Sequence, residues 1–325
     1  AGRAISTYVT KLSADGKSVV HSWLFSGAKL FPPTRMETGP GGRLYVILNS
    51  TSIDSLLTDD ALLRNRMYSA SAMIVIDYDG LIEYASYLPS DRLQGIYDLA
   101  IGGDASVYLL GHTYSSPPMA TSDAIFAVNQ GIEDAFIMKL SGCEYALEYG
   151  SCFGGTGHEE PAGIAVADDG RVAVVGPTLQ GGNYPLVKPW QAKMGDLSDF
   201  CVSVFAPDLR TLEYSTYLGG KGSEGYFHSP SARQIAFDSS GHLYLFLATA
   251  SADFPLVRSL NSWKLKSDIA LCKFDRNGTL VFSTLLNVNA SLGDMLVEPC
   301  GKVLLSLEEG GDSPELLNPV FTRPG

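Results

Sequence analysis

The chain has 325 residues, and its 35 acidic and 23 basic side chains give a formal net charge of −12 at pH 7. This balance excludes nucleic acids and anionic membranes as main partners, because both need a basic surface on the protein. Intrinsic disorder is excluded by the 10% of aromatic residues, and the chain contains no run of about 18 apolar residues that would predict a transmembrane helix.

Short apolar runs separated by Gly, Asp, Asn and Pro predict β-strands along the whole chain. The first two predicted strands span residues 6–12 and 19–25, and the last two span residues 294–297 and 302–307. Four copies of a four-strand unit lie between them. In each copy the first strand, such as the one around Ile164, is apolar on both faces and is expected to be buried. An Asp-Asp-Gly turn at residues 168–170 predicts a hairpin after it.

The unit repeats along the chain. An aromatic residue or His recurs at intervals of 63 to 68 residues, at His21, Tyr84, Tyr149, Tyr214 and Phe282. The turn after the first strand recurs at Gly42, Ala105, Gly170, Gly241 and Gly301. Five copies of about 65 residues account for the chain and predict an all-β, five-bladed β-propeller of four-stranded antiparallel blades. A β-sandwich does not repeat at this period, and a parallel β-helix has a shorter one.

The middle copies resemble a known family. The sequences YSTYLGG at residues 214–220, DAFIMKL at residues 134–140 and DFP at residues 253–255 resemble the bacterial SBBP β-propeller repeat. The segment IAVADDGRVAV at residues 164–174 is similar to NHL-like propeller blades. The resemblance is sharpest over residues 131–280, and it implies an exported, often surface-associated bacterial protein without an assigned activity. The family name refers to seven blades, but the chain contains five copies of the repeat, so five blades are predicted.

The resemblance to NHL-like blades also orders the strands from A, the innermost, to D, the outermost. The chain then begins with a C and a D strand and ends with an A and a B strand. One domain is predicted over residues 1–325, with blades at about 28–88, 89–155, 156–220 and 221–287. The fifth blade joins residues 288–325 to residues 1–27, and this closure removes exposed strand edges.

The B–C and D–A connections are predicted to emerge on one face, which we call the long-loop face. They span residues 49–66, 112–133, 178–197 and 248–266 (B–C) and residues 219–233 (D–A). Long loops on a rigid scaffold are where binding residues concentrate. The long-loop face is therefore the predicted binding surface.

Two D–A connections hold candidate binding residues, which are His158, Glu159, Glu160, Glu224, Tyr226 and His228. Imidazole and carboxylate groups are ligands in zinc and calcium sites, but the spacing here is not that of a ligand motif. The copies do not share these residues. A solvated acidic loop is the favoured interpretation, and neither a bound metal nor a cofactor is predicted.

Trp190 and Trp263 lie in the B–C connections of consecutive copies, near Tyr184-Pro185 and Phe254-Pro255. These aromatic residues are expected to fill the space between blades. A lectin-like site, in which an aromatic ring holds a sugar, is left open as the alternative.

Carboxyl groups on the predicted inner strands raise the question of catalysis. A glycosidase needs two carboxyl groups about 5–9.5 Å apart, and Glu37 and Asp98 are expected to face a central channel. Neither has a flanking catalytic motif. Asp134, Asp199 and Asp268 recur at the start of the C strand, so they are expected to be structural and to accept backbone N–H bonds from a loop.

The five cysteines contain no Cys-x-x-Cys motif and predict neither a disulfide scaffold nor a redox or zinc site. The start Ala1-Gly2-Arg3 indicates a processed or excised N-terminus. The sequence favours a non-enzymatic protein-binding or assembly module, exported to the cell surface, medium or periplasm. Its expected partners are protein subunits or surface components that contact the long-loop face. The alternative is a carbohydrate-binding or glycoside-hydrolysing propeller.

Overall fold

The computed structural model describes residues 5–27, 35–49, 52–65, 71–89, 95–114, 119–179, 182–225, 234–260, 268–286 and 290–309. These residues form 21 β-strands and one 3-10 turn at Pro40–Gly42. The strands form four larger antiparallel sheets and two separate hairpins. The described chain is therefore all-β, as predicted.

The first half of the chain forms one hairpin and two sheets. The N-terminal hairpin pairs β1 (Ile5–Leu12) with β2 (Val19–Gly27). Sheet I contains, from the inside outward, β3 (Arg35–Thr38), β4 (Leu44–Asn49), β5 (Ser71–Ile76) and β6 (Ile82–Leu88). Sheet II contains β7 (Ile96–Ile101), β8 (Val107–Thr113), β9 (Asp134–Leu140) and β10 (Leu147–Phe153).

The second half of the chain forms two sheets and one hairpin. Sheet III contains β11 (His158–Glu159), β12 (Gly163–Val166), β13 (Val172–Leu179), β14 (Ser198–Phe205) and β15 (Leu212–Leu218). Sheet IV contains β16 (Ile235–Phe237), β17 (Leu243–Thr249), β18 (Asp268–Phe274) and β19 (Leu280–Leu285). The C-terminal hairpin pairs β20 (Ala290–Val297) with β21 (Val303–Glu309).

The recurring turn after the first strand has one conformation in all five copies. Gly42, Ala105, Gly170, Gly241 and Gly301 have φ angles between 65° and 86°. Glycine adopts this left-handed region without steric cost, whereas Ala105 does so at some cost. The predicted repeat therefore corresponds to a repeated backbone geometry.

The sheets pack face to face in chain order. One apolar cluster lies between the N-terminal hairpin and sheet I, and the next three lie between sheets I and II, II and III, and III and IV. A fifth cluster lies between sheet IV and the C-terminal hairpin. The core is thus a series of layers, each shared by two neighbouring units.

The long B–C connections fold back over the outer strand of their own sheet. Each makes an isolated antiparallel bridge to that strand, at Leu63–Tyr87, Phe126–Cys152, Val187–Ser215 and Val257–Ser283. A serine hydroxyl of the strand accepts the loop N–H beside each bridge, as Ser215 does from Val187 at 2.8 Å. These bridges cover sheet edges that would otherwise invite aggregation.

The two terminal hairpins occupy the ends of this series. Phe25 and Val9 of the N-terminal hairpin pack on sheet I, and Leu292 and Met295 of the C-terminal hairpin pack on sheet IV. Among the described residues, β21 and β1 belong to separate sheets. The predicted strands at both termini are present, but the ladder that would join them into one blade is not among these sheets.

No helix within the described ranges is long and apolar enough to span a lipid bilayer. All five cysteines are free thiols.

Candidate functional site

The inner strands surround a central cavity of about 190 Å³. Its lining comes from β3, β7, β12, β16 and β20, the first strand of each unit. These strands also contact one another in that order. Five units therefore converge on one cavity, and Glu37 and Asp98 line it as predicted.

Asp98 is engaged in a buried ion pair. Its Oδ1 lies 2.7 Å from Nε of Arg35, and the two side chains are 7% and 10% exposed. Its Oδ2 accepts the backbone N–H of Ile164 at 2.9 Å. Burial raises the pKa of Asp98, and the charge of Arg35 and two backbone donors oppose this rise. Asp98 thus links inner strands of three sheets, which leaves it poorly placed to act as the acid of a glycosidase.

A pair of buried carboxyl groups lies between sheets II and III. Asp134 Oδ2 accepts the N–H of Gln130 at 2.7 Å. Glu159 accepts the N–H of Gly155 at 3.0 Å and the hydroxyl of Thr178 at 2.9 Å. Asp134 Oδ1 and Glu159 Oε2 both lie close to Gly154. This pair holds the D–A connection of sheet III against the third strand of sheet II.

The same arrangement recurs between sheets III and IV. Asp199 Oδ2 accepts the N–H of Gly195 at 3.1 Å, and Glu224 accepts the N–H of Gly220 at 3.0 Å. The Ser251 hydroxyl also donates to Glu224. The predicted role of the recurrent aspartate, as an acceptor for loop N–H groups, is confirmed in both pairs. The side chain of Asp268 lies outside the described residues.

Glycines of the repeat make room for these acid pairs. A Cβ at Gly154 would lie 2.6 Å from Asp134 Oδ1 and 2.7 Å from Glu159 Oε2, and a Cβ at Gly219 would collide with Asp199. Real Cβ atoms do not approach other atoms so closely, so a larger residue would displace the carboxyl groups.

Sheet I shows the converse. It lacks the Gly-Gly sequence, since Pro89 follows Leu88, and Ser71 takes the place of the aspartate. The Ser71 hydroxyl accepts the N–H of Ile96 at 2.9 Å. The carboxyl pair therefore occurs where the strand is followed by Gly-Gly. In sheet I, where glycine is missing, a single hydrogen bond from a backbone N–H to the Ser71 hydroxyl takes the place of the pair.

Burial raises the pKa of all four carboxyl groups, that of Glu159 to about 7 and that of Asp199 to about 6. Glu159 and Glu224 are only 4% and 2% exposed. The interpretation of these segments as solvated acidic loops is therefore wrong for both glutamates. The physical reason is that each carboxyl group receives backbone and hydroxyl donors that offset its loss of water.

His158 belongs to a second buried cluster. One carboxylate oxygen of Glu133 contacts Nδ1 of His112, and the other contacts Nε2 of His158. The side chains of Glu133 and His112 are almost fully buried, and that of His158 is 27% exposed. The rings of Tyr97 and Tyr114 pack on His112. Two imidazoles therefore satisfy one buried carboxylate.

His112 and Glu133 were not predicted as site residues. Pro177 and Ser198 occupy the corresponding positions of sheet III. The sequence could have indicated this cluster, because His112 and Glu133 are ionisable residues at positions where sheet III has non-ionisable ones.

Within the described ranges, no group of three or more His, Cys, Asp or Glu side chains is arranged to hold a metal ion. Tyr226 and His228 lie outside the described residues. Glu160 is held to sheet III through its backbone, since its N–H donates to the Pro177 carbonyl at 3.0 Å.

The aromatic residues of the B–C connections differ in position. Tyr184 is buried, its hydroxyl lies 2.7 Å from Ser203 Oγ, and its ring meets Phe153 of sheet II edge-on. Phe254 is buried in the cluster between sheets III and IV. The predicted filling of space between blades is confirmed for these two residues. Trp190 is 37% exposed, and Trp263 lies outside the described residues.

Exposed apolar side chains cross the long-loop face. Adjacent backbone segments align there, because Glu133 bridges His158, His158 pairs with Leu179, and Leu179 pairs with Ser198. Ile132, Leu179 and Leu197 lie on or next to these segments, and Tyr114 and Val128 lie in the same B–C connection as Ile132. These five apolar side chains are 39% to 58% exposed, and we call them the apolar row.

Comparisons with known proteins give no family. No protein-family model matches the chain, and no curated protein matches it. The resemblance to the SBBP repeat therefore stays a prediction.

Several solved structures are similar in fold. A protein of unknown function from Dyadobacter fermentans is 9% identical, with a TM-score of 0.48, and the match covers 84% of this chain and 73% of that one. The Dos1 propeller is 8% identical, with a TM-score of 0.46 and coverage of 94% and 61%. The gluconolactonase XC5397 from Xanthomonas campestris is 11% identical, with a TM-score of 0.40 and coverage of 84% and 68%. The chain thus spans less than two thirds of the Dos1 propeller, and at these scores none of the three bears on its activity.

Proposed function

We propose that this chain is a five-bladed β-propeller that serves as a protein-binding or assembly module of an exported or cell-surface bacterial protein. Its binding surface is the long-loop face. The observation that carries the proposal is the apolar row, because neighbouring exposed apolar side chains mark protein-interaction sites. The exported location rests on the resemblance to the SBBP repeat.

Closure of the ring is supported by strand register. The first residue of the second strand pairs with the last residue of the third strand in sheets I, II and IV, at Leu44–Ile76, Val107–Leu140 and Leu243–Phe274. The same register applied to β21 and β1 pairs Val303 with Leu12, Leu305 with Thr10 and Leu307 with Tyr8. The two hairpins would then form the fifth blade.

The faces of the two hairpins agree with this register. Leu305 and Leu307 pack toward sheet IV. Tyr8 is 68% exposed and lies next to Val9, which packs toward sheet I, so Tyr8 faces away from sheet I. Paired residues share a face, and joining would therefore bury Tyr8 against sheet IV. The same step would turn Leu304, which is 47% exposed, toward sheet I.

The length of the apolar row indicates how large an interface with a partner must be. From Ile132 to Leu197 it crosses three strand spacings, or about 14 Å. A stable protein–protein interface buries at least about 1,000 Å² in total, so a partner must cover loops on both sides of the row.

The test is capture of a partner by the immobilised chain from detergent-solubilised membranes and culture medium of the source bacterium. The variant Leu179→Asp/Leu197→Asp places two charges in the row without altering the core, since both side chains are exposed. We expect a stoichiometric protein partner that the variant binds at least about tenfold more weakly, equivalent to 1.4 kcal/mol or more.

The matched control is Leu81→Asp, at an exposed leucine on the opposite, C–D turn end of sheet I. It should bind the partner as the unchanged chain does. Equal capture by both variants, or binding of glycans with no protein partner, would overturn the proposal.

A further inference from the structure

The two acid pairs share a pattern of used and unused oxygens. In Asp199 the Oδ2 oxygen takes the loop donors, and in Glu224 the Oε1 oxygen does. Oδ1 of Asp199 and Oε2 of Glu224 are buried without a hydrogen-bond partner, as is Oδ1 of Asp134. Asp134 Oδ1 and Glu159 Oε2 both lie close to Gly154, and Asp199 Oδ1 and the side chain of Glu224 both lie close to Gly219. Each pair therefore has a place where one hydrogen-bond donor is missing.

A proton fits this place better than a metal ion. Calcium takes six to eight oxygen ligands, whereas each carboxyl group already has one oxygen engaged by protein donors. Both oxygens of Glu159 already accept hydrogen bonds, from Gly155 and from Thr178. Two carboxylates in contact cannot both remain ionised at low cost, so the pair retains a proton.

We infer that the pairs Asp134–Glu159 and Asp199–Glu224 each hold one shared proton near neutral pH and form a pH-sensitive latch for the long-loop face. Each pair titrates as a unit. Loss of the proton leaves two adjacent negative charges in a buried site, and the D–A connection held by the pair is released.

The groups facing the pairs do not neutralise that charge. In the described part of the chain, no Lys or Arg forms an ion pair with the four carboxyl groups. The titratable groups that interact with them are mostly acids: Cys152, Tyr184, Cys201, Tyr217, Asp253 and Cys272. Glu133 and His158 precede Asp134 and Glu159 in the chain, and His112 shares Glu133 with His158.

The latch adjoins the apolar row. Glu159 bonds to Thr178, the residue before Leu179, and Asp199 lies two residues after Leu197. Release of the D–A connections should therefore change the row. This last step rests on the proposed function, whereas the shared protons do not.

The pH dependence has a definite sign. A carboxyl group with a raised pKa binds its proton more tightly in the folded than in the unfolded chain. Its stabilising effect is complete below the unfolded pKa of about 4. That effect is lost as the pH rises through about 6 for Asp199 and about 7 for Glu159. The folded chain should therefore be more stable at pH 5 than at pH 8.

The experiment measures thermal unfolding from pH 5 to pH 8 for the unchanged chain and for Glu159→Gln/Glu224→Gln. Glutamine has the shape of a protonated glutamate and cannot lose the proton. We expect the melting temperature of the unchanged chain to fall by about 5 °C or more over this range. The double variant should fall less and should melt above the unchanged chain at pH 8.

The control is Glu144→Gln, at an exposed glutamate, which should follow the unchanged chain at every pH. Infrared spectra in heavy water give a second readout, a carbonyl band of protonated carboxyl groups at pH 7 that the double variant lacks. If that variant fails to fold, loss of the band between pH 6 and 8 in the unchanged chain decides the matter. No band at pH 7, or equal pH dependence in all variants, would overturn the inference. A band without partner binding would overturn the proposed function and leave the latch intact.

Discussion

Replacing Asp98 by asparagine is expected to lower the free energy of unfolding by about 3–5 kcal/mol, the usual cost of removing one partner from a buried ion pair. The Arg35 guanidinium then loses its carboxylate in a buried site between two inner strands. Asparagine can still accept the N–H of Ile164, so the loss reports the charge more than the hydrogen bond. Denaturant unfolding followed by circular dichroism measures the change.

A second substitution separates the ion pair from general damage. Adding Arg35→Met to Asp98→Asn removes the uncompensated charge, and the double variant should recover at least about 1 kcal/mol relative to Asp98→Asn alone. Additive losses would mean that the two residues are not coupled. Asp60→Asn, at an exposed position, should change stability by less than about 0.5 kcal/mol.

Deletion of residues 1–27 is expected to lower the melting temperature by about 10 °C or more, or to prevent folding. The deletion removes Val9 and Phe25 and uncovers the face of sheet I that holds Val46 and Ile74. Deletion of residues 1–4 alone serves as the control and should leave the melting temperature close to that of the unchanged chain.

A deletion of 27 residues can prevent folding for reasons unrelated to the hairpin contacts. The single substitution Phe25→Ala is a milder test of the same contacts. Phe25 is 5% exposed, and truncation of a buried phenylalanine costs about 3–5 kcal/mol. An unchanged melting temperature in both variants would mean that the N-terminal hairpin does not contribute to the core.

The strands and their grouping could be predicted because the same turn and strand residues recur in every copy of the repeat. A left-handed turn position recurs at Gly170 and at its four equivalents, and even Ala105 adopts it. The order of the strands, with the first one innermost, could also be predicted. The burial predicted for the first strand is wrong, because that strand lines the cavity and is partly exposed in β3, β7, β12 and β16, whereas second and third strands such as β8 and β14 are fully buried. The predicted positions of Glu37 and Asp98 on the inner strands followed directly from that order.

The buried acid pairs could not be predicted, because a glutamate in a Gly-rich loop resembles a solvated residue until its partner is known. Glu159 and Asp134 are 25 positions apart in sequence and meet only through packing of neighbouring sheets. Similarly, the cluster around Glu133 depends on His112 from another strand. The repeat does predict the glycines, and their close approach to Asp134 and Asp199 explains the Gly-Gly sequence that follows Phe153 and Leu218.

Disulfide trapping of the two termini tests the five-bladed ring most directly. In a chain whose exposed Cys143 and Cys300 are replaced by serine, Thr10→Cys and Leu305→Cys should form an intramolecular bond on mild oxidation. Paired strand residues lie within the 4.4–6.8 Å Cα separation that a disulfide needs. The control pair Tyr8→Cys/Val303→Cys is four residues out of register, about 13 Å along the strand, and should stay reduced. No bond in the first pair, or equal bonding in both, would contradict the joining of the two hairpins into a fifth blade.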